Sequence, residues 1–248
     1  MKKIITLVLA LAMAVSLFTG CGKKKTSKLE KGDISSGTVV MMVGDYQVRY
    51  SEVMAYCYFL KCQYEESFGK ELWNYKLSEN ETIGDQAKQE IVNMITQLKV
   101  ISGVAQEQEV SLSADEQDEA LRQAESLVQN ATAADKKTYS LSVQKISEIY
   151  QENFLAEKMF YVATDDADTN VSDEEARQAI LDEKAKTASG AAIGTEEDET
   201  AITQDMISQQ KEVIIQQRQS DMFVKKYNQW LQDKKVDINQ SFWNDFSL

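Results

Sequence analysis

Apolar positions recur at three- and four-residue steps along most of the chain, and that spacing predicts helices. In TIGDQAKQEIVNMITQLKVISGVAQEQ the stripe Ile83, Ala87, Ile91, Met94, Leu98, Ile101 and Ala105 is unbroken, so a long helix with one buried face is expected. An earlier stripe, Val53, Cys57, Leu60, Tyr64 and Phe68, predicts a helix whose opposite face carries Lys61, Glu65 and Glu66. Ser113 followed three positions on by Glu116 is a capping box, and Leu121, Ala124 and Val128 continue a stripe behind it for about four turns. From Ser142, Val143, Ile146, Tyr150, Phe154 and Tyr161 line one side of another helix. Leu155, Met159, Phe160 and Val162 make its far end apolar nearly all round, so that end is either deeply buried or an exposed apolar surface.

A second capping box, Ser172 with Glu175, opens VSDEEARQAILDE. The pattern fades in KTASGAAIGTEEDETA and resumes at QQKEV, in a helix with apolar ends (Val213, Ile214; Phe223, Tyr227, Trp230) and a polar middle, QQRQSD, that predicts a bridge between two packed regions. Only the edges of this helical array alternate with period two. TVVMMVGDYQVRYSEV predicts a hairpin turning at Gly44-Asp45, Val236 to Ile238 reads as a short closing strand, and SFWNDF adds a final aromatic patch. The expected fold class is therefore mainly α, with a small N-terminal β-hairpin and a short C-terminal strand.

Composition supports this reading and removes much chemistry. The chain has 248 residues with no proline and ten glycines, which favours helices over turn-rich sheets. It has no histidine, which excludes Ser-His-Asp and Cys-His catalysis, His-ligated zinc and an imidazole base. The acidic run DDADTNVSDEE was weighed as a calcium loop from Asp166, but Val171 stands where glycine is needed and Arg177 where the bidentate glutamate belongs. A solvated turn with a helix cap explains it better. No phosphate-binding glycine loop, supported Ser-x-x-Lys arrangement, cofactor motif or metal site emerges. Cys57 lies on the apolar stripe as a core thiol, Cys62 lies off it, and five residues on one helix place them too far apart for a disulfide.

The amino terminus concerns address. MKKIITLVLALAMAVSLFTG has a Lys2-Lys3 head and an apolar run from Ile4 to Phe18, short for a hydrocarbon core of ~30 Å, and so reads as a secretory signal over residues 1–20. LFTGC resembles the bacterial lipobox, in which the cysteine, here Cys21, becomes lipidated and N-terminal. Residues 21–38 would then be a tether spanning roughly 20 to 25 Å as a flexible coil, with Lys23, Lys24 and Lys25 beside an anionic bilayer. Without the signal the chain has 25 basic and 40 acidic residues, a net charge of −15, which argues against nucleic acid as a partner.

The order of these elements resembles the peptide-binding region of the SurA and PrsA foldases. The lipobox, the VVMMVGDYQVRYSEV hairpin leading into CYFLKCQYEESFGKELW, the long helix around AKQEIVNMITQLKVISGVAQEQEVSLSADEQ, VSDEEARQAILDE, and KKYNQWLQDKKVDIN ending in a strand carry the likeness. The resemblance implies a chaperone module whose N-terminal part, residues 39–183, is completed by residues 209–248. In that family a parvulin prolyl isomerase domain is often inserted between the two parts. Here the interval 184–208 has 25 positions, whereas a domain needs at least about 50 residues, and the histidines on which the parvulin site draws are missing.

Residues 184–208 are therefore expected to be a flexible linker, and prolyl isomerase catalysis is expected to be absent. The reading is a lipid-anchored extracytoplasmic chaperone for unfolded or secreted polypeptides, with Tyr56, Phe59, Tyr64, Trp73, Phe154, Met159 and Phe160 as candidate peptide-binding residues. Alternatives are a solute-binding lipoprotein of a transporter and a structural lipoprotein docking on one partner.

Overall fold

The β-branched run Val39–Val43 forms β1 and Tyr46–Arg49 forms β2, joined by the two-residue turn Gly44-Asp45. Gly44 adopts φ +55°, the positive value that the first position of such a turn requires and that glycine reaches without strain. The computed structural model describes residues 34–187, 202–246 and 248. The helices are α1 (Tyr50–Leu60), α2 (Ile83–Glu107), α3 (Ala114–Asn130), α4 (Ala133–Thr138), α5 (Val143–Ala163), α6 (Asp173–Thr187), α7 (Gln204–Gln232) and α8 (Gln240–Asp245). β3, Val236–Ile238, pairs antiparallel with β1 to give the sheet order β2-β1-β3. The mainly α class with its hairpin and closing strand is thus the observed one.

The chain forms two compact units, with boundaries inside α5 and α7: residues up to Met159 together with Trp230–Leu248, and Phe160–Gln229.

In the first unit α1 and β1 pack on α2. Val48, Val53, Ile91, Ile95, Ile101 and Ile146 are buried, each worth on the order of 2 kcal/mol of apolar transfer. Gly103 leaves room for the Tyr46 ring at 3.4 Å, and the Tyr46 hydroxyl donates to Gln106 Oε1, which fixes the hairpin on α2. Thr82 and Asp85 form a reciprocal capping box at the start of α2, and Ser113 with Glu116 does the same for α3. Behind Ser113 the buried positions are Ala120 and Ala124, while Leu121 is exposed, so the stripe lies one residue away from its expected edge.

α1 does not continue as one α-helix to Phe68. Lys61–Glu65 is a π-helical turn, followed by a single α turn at Glu66–Phe68 and a 3₁₀ turn at Lys70–Asn74. The wider π turn takes up extra residues and rotates the downstream face. Phe68 consequently leaves the buried stripe and is exposed. On the face read as solvent-facing, Lys61 pairs with Asp135, and Glu65 Oε1 accepts from the Trp73 indole at 2.6 Å.

In the second unit Val171, Ala176, Ile180, Ile202 and Ile207 form a core against Leu181, Met206, Ile214 and Ile215. The expected linker 184–208 is accordingly narrower. α6 runs to Thr187, α7 starts at Gln204 behind the Thr203 side chain, and Ile202 is buried, leaving 188–201 outside the described residues. The residues read as a signal peptide, Cys21 and most of the expected tether also lie outside them. The polar middle of α7 is tied down rather than solvent-bridging: the Arg218 guanidinium donates to the Asp168 and Asn170 carbonyls and pairs with Asp168 and Glu175. That network, with the Asp168 carboxylate accepting from the Asn170 N–H, occupies the acidic run once weighed as a calcium loop. Among the described residues no helix is long and apolar enough to cross a membrane.

Candidate functional site

The seven candidate binding residues do not share one surface. Tyr56, Trp73 and Met159 are buried at 2%, 7% and 0% exposure. Phe59, Tyr64, Phe154 and Phe160 are half-buried. Phe59 lies edge-on to Tyr56 at 5.9 Å and stacks on Tyr150 at 6.0 Å, so it extends an inner aromatic row. Tyr64 meets Trp73 edge-on at 6.2 Å. Phe160 belongs to the second unit and packs on Phe223 and Tyr161. Most of this set is packing.

The exposed apolar side chains are others. In the first unit Phe68, Tyr75 and Leu77 are 67%, 65% and 44% exposed along ten residues. Their backbone is held in place. Gly69, at φ +72°, breaks the helix, Trp73 anchors the 3₁₀ turn in the core, and an antiparallel bridge joins Lys76 to Thr82. Gly84 lets the first turn of α2 approach Trp73, because a Cβ there would meet the Trp73 carbonyl oxygen at 2.9 Å. In the second unit Tyr161, Val162 and Val213 are exposed, while at the same end of α5 Met159 is buried and Phe160 half-buried, so that end is surface on one side and packed on the other.

A buried ionic cluster was not foreseen. Lys99 Nζ lies 2.7 Å from Glu52 Oε1 and 2.5 Å from Glu152 Oε1, with Glu52 and Lys99 only 3% and 8% exposed. Burial pulls the Lys99 ammonium down, but the two carboxylates outweigh it and hold the pKa above its ordinary value. Burial raises Glu152, with the Glu52 charge adding to the rise and Lys99 opposing it. The nearby Tyr56 hydroxyl, raised by burial and by both carboxylates, has no hydrogen-bond partner in the protein. The sequence signal was present: Glu52 and Lys99 interrupt the apolar runs YSEVMAYC and ITQLKVIS.

Glu152 also reaches a surface cleft of about 580 Å³. Its walls are Ser102 and Gln106 from the end of α2, the segment Glu109–Leu112, and a face of α5 with Glu148, Gln151, Glu152 and Leu155 at helical spacing. α2 ends in a Schellman motif, with the Val110 N–H on the Ala105 carbonyl and the Glu109 N–H on that of Gln106. Its left-handed position is held by Glu109 at φ 57°, where glycine is the usual residue. Neither thiol is activated: burial pushes Cys57 up to about 12, and burial also raises Cys62 despite a hydrogen bond with Tyr58 and the charge of Lys61. Both are free, and among the described residues no cluster has the makings of a metal site.

Comparison with known proteins agrees with this architecture. A family model described as the SurA-like N-terminal domain matches residues 1–158. No curated protein and no solved structure matches significantly. The family match covers the sheet's first two strands, α1 to α4 and nearly all of α5 within the first unit, well over half of the 248 residues. The chain belongs to the family of proteins with a SurA-like N-terminal domain.

Proposed function

We propose that this protein is a chaperone, anchored through lipidated Cys21 to the outer face of the cytoplasmic membrane, that shields apolar segments of unfolded or secreted polypeptides and does not isomerise prolyl bonds. The observation that carries the reading is the Phe68–Leu77 segment, which offers Phe68, Tyr75 and Leu77 to solvent from a backbone fixed by Trp73 and Gly84. Large aromatic and aliphatic groups on a surface are anchors for apolar segments of other chains. Membership of the SurA-like family supports a chaperone role for that surface. The acidic excess, 40 carboxylates against 27 basic residues, favours dispersal of loaded complexes. The lack of histidine and the short interval between α6 and α7 support the absence of isomerase chemistry.

The test is light scattering from an unfolded, reduced secreted protein diluted into buffer with residues 22–248 of this chain. Suppression of scattering that saturates near equimolar ratio is expected. Undiminished aggregation at several-fold excess would overturn the proposal, and recovery of a single stoichiometric partner in place of many clients would favour a dedicated docking protein. A proline-peptide turnover assay should give the uncatalysed rate.

A further inference from the structure

The cleft between α2, Glu109–Leu112 and α5 has an uncompensated charge in its wall. Two carboxylates, Glu52 and Glu152, share one cation, Lys99. Lys99 occupies Glu152 Oε1, while Glu152 Oε2 is buried without a hydrogen-bond partner among the described residues. An unpaired buried carboxylate oxygen is costly, and a buried pair of acids sharing one base leaves net negative charge. Ser102 Oγ, in the same wall, is likewise buried and unpartnered. The remaining charged lining residues, Glu109 and Glu148, are acidic, and no lysine or arginine lines the cleft. Lys145 pairs with Glu148 at 2.5 Å and offsets part of its charge; Glu109 has no ion pair among the described residues. Glu109 stands at a left-handed position, φ 57°, where glycine is the usual residue. Apolar Val110, Leu112 and Leu155 complete the walls. A volume of about 580 Å³ accepts a long side chain with part of its neighbour.

We infer that this cleft binds a basic side chain, arginine or lysine, of an extended polypeptide segment with an apolar residue beside it, the head group meeting Glu152 and Glu109 and the methylene stem lying on Leu155 and Val110. The inference rests on the polypeptide-binding reading and names the segment chemistry that reading leaves open. A guest cation supplies the charge that Lys99 cannot, and the stem of such a side chain is itself apolar. Arginine, with donors in a fixed fork, suits the two oxygens of the Glu109 carboxylate best.

Fluorescence anisotropy with a labelled ten-residue peptide, one central arginine flanked by leucines in a neutral background, tests it against the same peptide with citrulline in place of arginine. Wild type is expected to bind the arginine peptide about tenfold more tightly, the scale of one charge-assisted hydrogen bond gained. Glu152→Gln should reduce that ratio to about twofold with helicity unchanged. Glu109→Gln, which leaves the Lys99 ion pairs intact, should lower it by roughly two- to threefold and serves if the first variant fails to fold. No binding of either peptide, equal binding of both by wild type, or a preference untouched by both variants would overturn the inference. So would spermidine competing as tightly as the peptide, which would make the cleft an amine site. Suppressed client aggregation without an arginine preference would remove this inference and leave the chaperone reading standing. A Glu152-dependent preference without suppression would do the reverse.

Discussion

Lys99 is 8% exposed and pairs with one oxygen each of Glu52 and Glu152, which have no other ion pair among the described residues. Replacing it, Lys99→Met, leaves both acids buried without a counter-charge, and loss of one partner from such a cluster costs about 3–5 kcal/mol. The deficit should depend on pH. Burial already raises Glu152 above 4.5, and more so without Lys99, so native-state protonation stabilises the variant below about 4.5 and that stability is lost as pH rises through the raised value. Urea denaturation of Lys99→Met should thus show a smaller deficit at pH 5 than at pH 7.5; an equal deficit would mean the carboxylates are not the cause. Glu109→Gly is predicted to raise stability by about 1 kcal/mol in the same assay, because glycine adopts φ 57° freely. These residues were hard to read in the sequence for a physical reason. Polar residues are assigned to solvent faces by pattern, and a charge on a buried face is recognised only when its partners, 47 and 53 positions away in sequence, are brought to it by the fold.

Elements were legible where periodicity and caps coincided. α2, α3 and α5, the hairpin, β3, the Ser113 capping box and the Ser172 cap follow from stripe and cap chemistry. α4 and α8 escaped because six residues contain too little periodicity. The π turn at Lys61–Glu65 escaped because steps of four continue across it in sequence while the backbone widens underneath. The start of α7 was hidden because Ile202, Met206 and Ile207 directly follow a Gly-containing stretch and too few apolar positions precede QQKEV to show a period. Two substitutions test how the exposed segment is held. Gly84→Ala forces its methyl against the Trp73 carbonyl, 2.9 Å away, and overpacking of this kind costs about 1–3 kcal/mol. Loss of the buried tryptophan fluorescence signature at a lower urea concentration is the expected result. Thr82→Ala removes the capping box of α2 and should cost about 1 kcal/mol. The Thr82 side chain, followed by Lys88 and the Thr82 N–H, holds Asp85 down at about 2. Its contribution is therefore present above the ordinary value of 3.8 and lost as pH falls toward 2, so wild type and Thr82→Ala should converge in strong acid.

At the scale of the whole molecule, family and fold class were readable from the order of hairpin, long helix and capped helices, and the family match confirms the first of these over residues 1–158. The proposed binding surface was not, because aromatic crowding on α1 and α5 marks packing as well as recognition. Tyr56 and Met159 serve the core, whereas Phe68, Tyr75 and Leu77 acquire their exposure from a π turn, a glycine break and a 3₁₀ turn acting together. Without those three irregularities Phe68 would continue the buried stripe. The division into two compact units likewise depends on Ile202 and Ile207 closing a core with Val171 and Ile180, a long-range arrangement no local pattern contains. The central claim is that this chain protects unfolded polypeptides through the exposed segment. The most direct measurement is aggregation of an unfolded secreted client in the presence of wild type and of the combined variant Phe68→Ser, Tyr75→Ser, Leu77→Ser, with thermal unfolding of both recorded in parallel. Retained folding with most of the suppression lost is the predicted result; a folded variant that suppresses aggregation as well as wild type would contradict it.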